Sequence, residues 1–499
     1  MSSSIQTMQG EAFPQLRPRG SLIEVLRSLV GDSAQYLVGV AVMGLASMVL
    51  LPLYTRYLSQ SDFGLFSLVE ILALSAISIS GLGFNVSYLK WFAASPSEKI
   101  PEVLGTTLWV NGIAGVVTGT ALWMFLTSGV AAKGLRHDAG RFAWFLLPLI
   151  LLETMQGVLL THLRARRRPV AFSVVSAIRL VAIAVFSIWL VAARGKGLLG
   201  VFEARVLGDL GAALVAWGLT ASDVSFSASL SSARSMAKYG LPVMGSSLII
   251  MILDGAGRFF VNHYANLEQV GLYTVAVKIS AVMRLSIVVP FGSAWGGLLF
   301  QIAKRPDAQV VFSKIMSYLL VLSVSIALVF SAASPVLLLI LTTRQYSACL
   351  PIVPWLLFVQ VITVLQYPAS AGIFLGSATK WLVPIFTAGV VISLLLNRLL
   401  VPKFGGVGAA AAWLASWLMI TVLMASFGQR YYPLRYEKKP LLFALSATGL
   451  VVLLGYLRGM TVGIIASSIL STIIMACAIT YIWRDLLRFG IGLDATTTD

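Results

Sequence analysis

Apolar stretches of about twenty residues follow one another from Ser33 almost to the C-terminus, separated by short loops that hold most of the charge. A helix of that length, rising about 1.5 Å per residue, spans the roughly 30 Å hydrocarbon core of a bilayer. One such stretch is compatible with a buried core helix. A dozen or more in series leave no room for a soluble domain. The pattern predicts an all-α integral membrane protein with about fourteen spans, at 33–53, 63–84, 104–128, 142–162, 171–192, 198–218, 238–261, 270–291, 312–341, 350–372, 381–401, 406–428, 440–457 and 461–483. The ninth is longer than a bilayer requires, and Pro335 inside it predicts a kink or an extension beyond the membrane. Before the first span, Leu22, Ile23, Leu26, Leu29 and Val30 recur at helical spacing. That segment reads either as a helix lying on the membrane surface or as a frayed terminus.

A short repeat organises these spans. Tyr57 through Gly64, Leu65, Phe66 and Ser67 opens the second span, and Tyr264 through Gly271, Leu272, Tyr273 and Thr274 opens the eighth. The matched positions lie 207 residues apart, an interval that contains six spans. An even number brings both copies into the membrane from the same side. The two halves are then expected to be related by a pseudo-two-fold axis along the membrane normal. The predicted organisation is a segment at 1–32, a six-helix lobe at 33–218, a second at 238–428, two further helices at 440–483, and a tail at 484–499.

Charge fixes the expected orientation. The chain carries 36 Lys and Arg against 19 Asp and Glu, a formal net charge of +17. Such an excess also suits nucleic acid, but the bases sit in loops between apolar spans. Placing the N-terminus in the cytoplasm puts 21 bases inside and nine outside, the bias of the positive-inside rule. Arg164, Arg166, Arg167 and Arg168 form its strongest cluster. Both termini are therefore expected in the cytoplasm, and no nucleic-acid partner is expected. The first thirty residues have no signal-peptide pattern.

Little in the chain suggests an enzyme or a resident cofactor. Cys349 and Cys477 fall in different apolar segments, and His137, His162 and His263 lie far apart without metal-ligand spacing. There is no Gly-rich phosphate loop, no nucleophile elbow, and no loop beyond about twenty residues.

Three motifs resemble the polysaccharide-biosynthesis flippases of the multidrug/oligosaccharidyl-lipid/polysaccharide exporter superfamily. The first runs Leu51-Pro52-Leu53-Tyr54-Thr55-Arg56-Tyr57-Leu58-Ser59 through Phe63-Gly64-Leu65-Phe66 to Gly81-Leu82-Gly83. The second runs from Tyr239-Gly240-Leu241-Pro242 through Asp254 to Val270-Gly271-Leu272-Tyr273, and the third is Gly405-Gly406-Val407-Gly408-Ala409-Ala410. With the topology they cover roughly residues 20–485. The resemblance implies a bacterial inner-membrane flippase that carries an undecaprenyl-diphosphate-linked oligosaccharide from the cytoplasmic to the periplasmic leaflet, for O-antigen, capsule or exopolysaccharide synthesis. It further implies a central cavity open alternately to each side, coupling to an ion gradient (proton or sodium), and partners among membrane lipids and polysaccharide polymerase or export machinery.

Charges inside the spans are the candidate site, because each costs about 2.5–3.5 kcal/mol at mid-bilayer. Arg205/Asp209 and Asp254/Arg258 are four apart, so each pair is expected to share a helix face. Arg179, Lys278, Arg284, Glu70 and Glu153 have no opposite charge on their own helix in register. Arg398 lies near enough to the surface to snorkel. Arg179, Arg205, Arg258, Lys278 and Arg284 are the candidate ligands of the substrate's diphosphate, whose hydration fixed cations replace. Glu70, Glu153, Asp209 and Asp254 are the candidate ion-coupling groups. Salt bridges across the interface between the halves would balance the same charges. Trp91, Trp109, Trp144, Trp295, Trp355, Trp381 and Trp483 lie near span ends and are expected to anchor the interface.

Two other readings fit parts of the pattern. A cation-coupled multidrug exporter shares the helix count and repeat, although a base-rich interior suits cationic drugs poorly. A membrane glycan polymerase would need a sizeable extramembrane loop with clustered carboxylates.

Overall fold

The computed structural model describes residues 48–129 and 140–434, with a few positions between 473 and 484, and every regular element among them is helical. Most of the first predicted span, the last two spans and the segment at 22–30 lie outside the described residues. Nine helical stretches among the described residues are long and apolar enough to cross a bilayer. The elements run α1 (Leu51–Tyr57), α2 (Gln60–Ser80), α3 (Phe84–Ala94), α4 (Ile100–Thr127), α5 (Gly140–Ala165), α6 (Pro169–Ser187), α7 (Gly197–Thr220), α8 (Leu230–Tyr264), α9 (Leu267–Met283), α10 (Val289–Ile302), α11 (Ala308–Leu341), α12 (Val353–Ala369), α13 (Ala371–Leu375) and α14 (Leu382–Gly428). α7 is long enough to span but less apolar, since it carries Glu203, Arg205 and Asp209.

Local chemistry explains where these helices begin. The Ser59 side chain accepts a hydrogen bond from the Asp62 backbone N–H at the start of α2, and the Asn266 side chain accepts one from Gln269 at the start of α9. Ser59 and Asn266, like Asp62 and Gln269, are 207 positions apart, so the repeat is partly a repeated helix cap. Pro52, Pro101, Pro169, Pro290 and Pro354 occupy first-turn positions, where the missing N–H removes no intrahelical bond. Pro335 lies within a continuous α11.

Breaks fall at the motif glycines. Leu82 (φ 47°) and Gly83 (φ 68°) turn the chain between α2 and α3. Gly405 (φ 53°, ψ −130°) bends α14, so that its 47 residues, about 70 Å of helix, divide at the boundary expected between two spans.

Helices α4–α7 pack mainly on one another, as do α8, α11, α12 and α14, and the two sets meet along α2 with α9 and α3 with α8. The α2–α9 contact is reciprocal. A Cβ on Gly64 would collide with the Leu267 carbonyl, and one on Gly271 would collide with the Gln60 carbonyl. Beside them Thr274 Oγ1 donates to Ser67 Oγ at 2.9 Å. Each contact is the other shifted by 207 residues, which is what a local two-fold produces. Gln60 Nε2 donates to the Gln345 carbonyl (2.6 Å) and Gln345 Nε2 to that of Thr55 (3.1 Å), fastening this end. At the opposite end, near the Arg164–Arg168 cluster, Gly83 and Gly240 bring α3 and α8 into backbone contact, and Ser87 Oγ donates to the Met236 carbonyl at 2.9 Å.

Apolar side chains cover the outer faces. Ile113, Val117 and Met124 of α4 are each about 60% exposed, at the spacing of one helical face. In a membrane that face meets lipid. Trp109 and Trp144 are also exposed, as interfacial anchors require. Trp295 is the correction: it is 3% exposed and packs with Phe312, Ala371 and Leu434 in a buried cluster. Trp483 lies outside the described residues.

Candidate functional site

Six of the nine candidate residues form one alternating chain of charge. Asp209 of α7 receives the Arg179 Nε–H at 2.5 Å, and Arg179 Nη2 reaches Glu153 of α5 at 2.6 Å. Arg205 Nη2 approaches the same Glu153 oxygen at 2.9 Å, while its Nη1 lies 3.5 Å from Glu70 of α2. Lys278 of α9 closes the series 3.8 Å from the other Glu70 oxygen. Three acids alternate with three bases, so the chain is formally neutral. Neutrality is what allows six ionisable groups to sit in an apolar bundle, since an isolated one would carry its full transfer cost.

The two pairs four residues apart do not bond along their own helices. Arg205 turns away from Asp209 to the two glutamates, and Asp209 pairs with Arg179 on the neighbouring α6. Asp254 likewise pairs with Arg284 (3.7 Å) rather than with Arg258 four residues on. A four-residue separation brings two groups within reach, but helix packing places each of these carboxylates against a base on another helix. Lys278–Glu70 crosses between the two sets of helices, as the interface alternative anticipated.

A cavity of about 180 Å³ adjoins this chain. Glu70, Arg179, Arg205 and Lys278 supply its polar wall, and Tyr54, Phe63 and Phe66 an aromatic one. Tyr54 is held by a 3.1 Å hydrogen bond with Ser187. Asp209 Oδ2 is buried without a hydrogen-bond partner among the described residues, although its other oxygen is engaged by Arg179. Two carboxylates, Glu153 and Asp209, thus converge on the Arg179 guanidinium, each through one oxygen.

The remaining candidates separate. Arg258 Nε is buried with no hydrogen-bond partner, and no ion pair to Arg258 exists among the described residues; Glu70 and Asp254 are its charged neighbours. Asp254 accepts from the Trp413 indole at 3.2 Å. Arg284 begins a π-helical turn, Arg284–Val288, of the kind found at functional sites, and its side chain is 43% exposed. Arg398 is exposed. Glu203 pairs at the surface with Lys196 at 2.6 Å.

Sequence reasoning missed three features here. Tyr54, Phe63 and Phe66 sit within a quoted motif, but an aromatic in an apolar run carries no sign of facing a cavity. Trp413 lies mid-helix and received no attention beside the span-end tryptophans. His162, set aside for want of metal spacing, contacts Tyr88 and Asp223. Among the described residues no cluster of metal-ligating side chains occurs.

A family model described as polysaccharide biosynthesis protein matches residues 30–303. No curated protein matches the chain. Among solved structures, the lipid II flippase MurJ in an inward closed conformation superposes with a TM-score of 0.61 at 13% identity, covering 93% of this chain and 100% of that one. An outward-facing multidrug resistance MATE family transporter of the MOP superfamily gives 0.57 at 16% identity, covering 84% and 98%. The MATE transporter VcmN of Vibrio cholerae gives 0.58 at 12%, covering 81% and 98%. These likenesses establish the MOP-type fold.

Proposed function

The chain belongs to the polysaccharide biosynthesis protein family, a family of multi-pass membrane transporters rather than enzymes, and from that premise we propose that it flips an undecaprenyl-diphosphate-linked oligosaccharide. The direction is from the cytoplasmic to the periplasmic leaflet of a bacterial inner membrane, by alternating access, for O-antigen, capsule or exopolysaccharide. Spans 1–6 and 7–12 act as two lobes about the α2–α9 contact, with the last two spans as an appendage and both termini in the cytoplasm.

One observation carries this reading: an alternating charge chain beside a cavity, with the half-buried Arg258, whose Nε has no partner among the described residues, close to its Glu70 end. A diphosphate leaving water needs fixed donors, and guanidinium groups match its oxygens in pairs. Arg258 and Lys278 meet the incoming anion first. Arg205 and Arg179 become available when their carboxylates take up a cation, and Asp209 Oδ2 and Glu153 are the acceptors for it. Substrate entry and ion uptake are then linked because both draw on the same two arginines. The coupling ion in this scheme is a proton or sodium.

The multidrug reading shares the fold. The cavity speaks against it, since its charged lining is Arg179, Arg205 and Lys278 against Glu70. A cationic drug would meet no net attraction there.

The deciding experiment deletes the gene in its host and analyses lipid-linked glycans by leaflet. Accumulation of one such intermediate on the cytoplasmic face, cleared by the wild-type gene and not by an Arg258→Ala version expressed equally, supports the proposal. An unchanged glycolipid pool with lost drug resistance overturns it.

A further inference from the structure

A buried polar relay crosses three elements at the arginine-cluster end. Tyr88 Oη of α3 lies 2.6 Å from His162 Nδ1 at the end of α5, and His162 Nε2 lies 2.9 Å from Asp223 Oδ2 in the linker after α7. Tyr88 and His162 are wholly buried. The titratable and charged groups facing His162 are Tyr88, Asp223, and Arg166 and Arg168 from the turn after α5. Arg166 also reaches Asp223, at 3.5 Å.

Neutral histidine completes this relay in one tautomer. Tyr88 O–H donates to Nδ1, and Nε2–H donates to Asp223. A proton on Nδ1 keeps the bond to Asp223 but converts the acceptor facing Tyr88 into a donor. The Tyr88 hydroxyl then has to turn its O–H elsewhere in a buried site.

Position gives that change a consequence. α3 is the helix that closes this end against α8, through Gly83 with Gly240, Ser87 with Met236, and Lys90 stacked 4.2 Å from the Tyr239 ring. Asp223 belongs to the linker joining the two sets of helices, which is tied to α4 by Ser225 N–H to the Pro101 carbonyl (3.3 Å) and Ser229 N–H to Thr106 Oγ1 (3.0 Å). The fold itself does not require an ionisable group here. Advancing by the 207-residue repeat, Tyr88 and His162 become Trp295 and Ala369, and Trp295 sits in an apolar cluster.

We propose that Tyr88, His162 and Asp223 form a proton-sensitive clasp: neutral His162 holds α3 closed against α8, and protonated His162 releases it. Histidine is the side chain whose ordinary charge change falls between about pH 5 and 8. The inference goes beyond the flippase reading and does not need a substrate to test.

Spin labels on Ala94→Cys and Ser235→Cys, both exposed positions flanking the contact, report its opening in the full chain carrying Cys349→Ser and Cys477→Ser, in lipid nanodiscs. Between pH 8 and pH 5.5 the ratio of short-distance to long-distance populations should fall about five-fold, the scale of one buried hydrogen bond. In His162→Gln, which keeps a neutral donor and acceptor, the ratio should not respond to pH. In Tyr88→Phe it should already be low at pH 8 and stay there. A wild-type distribution identical at both pH values overturns the proposal, as does either variant responding like wild type. Loss of pH response in both, with unchanged gel-filtration elution, supports it.

Discussion

Arg258 is the residue on which the charge balance turns. Its neighbours in the chain satisfy one another, whereas the half-buried Arg258 has no ion-paired carboxylate among the described residues and its Nε is buried without a partner. A hydrogen bond to a charged group contributes about 1.5–3 kcal/mol. Arg258→Ala should therefore lower the transport rate about ten- to a hundred-fold in reconstituted vesicles while leaving thermal unfolding little changed or improved. Activity near wild type would remove Arg258 from the substrate path. Lys278 behaves oppositely, since Lys278→Glu sets two acids side by side and leaves Glu70 short of a cation. We expect a loss of about 1–3 kcal/mol in stability, restored in good part by adding Glu70→Gln, which removes the repulsion without setting a new base against Arg205. A double variant as unstable as the single one would show that the 3.8 Å approach is incidental. Outside the spans, burial pushes the Asp223 carboxyl up, but its His162 hydrogen bond and the charge of Arg166 outweigh this and hold it below the usual carboxylate range. A depressed carboxylate pKa adds stability above the unfolded value of about 3.9 and loses it as pH falls through the folded value. In a His162→Gln background, which removes the histidine's own titration, the stability difference made by Asp223→Asn should accordingly be full at pH 7 and shrink only below about pH 4.

Elements explain which of these residues the chain itself disclosed. All nine membrane-length stretches among the described residues coincide with predicted spans, the last with two of them, because a twenty-residue apolar run has few other uses. Glu70, Glu153, Arg179 and Arg205 stood out for the same reason, as charges where charge is costly. Their partners were hidden, since the bonds that matter join residues 30, 52 and 135 positions apart on different helices. Helical spacing favours neighbours four apart, and the adjacent helix won. Tyr88 and His162 were more hidden still: neither is unusual alone, and only packing of α3 on α5 makes them a relay. The motif glycines are the reverse case, legible in position though not in purpose. Gly64 and Gly271 let α2 and α9 touch at the backbone, with each facing the other's first-turn carbonyl. Gly271→Ala should cost about 1–3 kcal/mol through forced separation of the two helices, read as a lower unfolding temperature in detergent. Gly245, with open space around it, provides the control and should tolerate alanine.

For the whole molecule, what matters is that contacts close both ends around the charged interior. Gln60 with Gln345 fastens one end, and Ser87 with Met236 the other. Alternating access requires each closure to open in turn, whereas a passage gated at one end needs only one of them to move. Cysteine pairs replacing Gln60/Gln345 or Ser87/Met236, in chains carrying Cys349→Ser and Cys477→Ser, separate the two cases. Oxidising either pair should abolish transport in reconstituted vesicles, and a reductant should restore it from both. Transport surviving a lock at one end would rule out a two-ended cycle and leave the charged interior as a static conduit. Locking should also alter ion uptake in the same proportion as glycolipid movement, because in the proposed scheme a cation taken up by Glu153 and Asp209 frees Arg179 and Arg205 for the diphosphate. Ion flux that continues through a locked protein would break that link and assign Glu153 and Asp209 to structure alone.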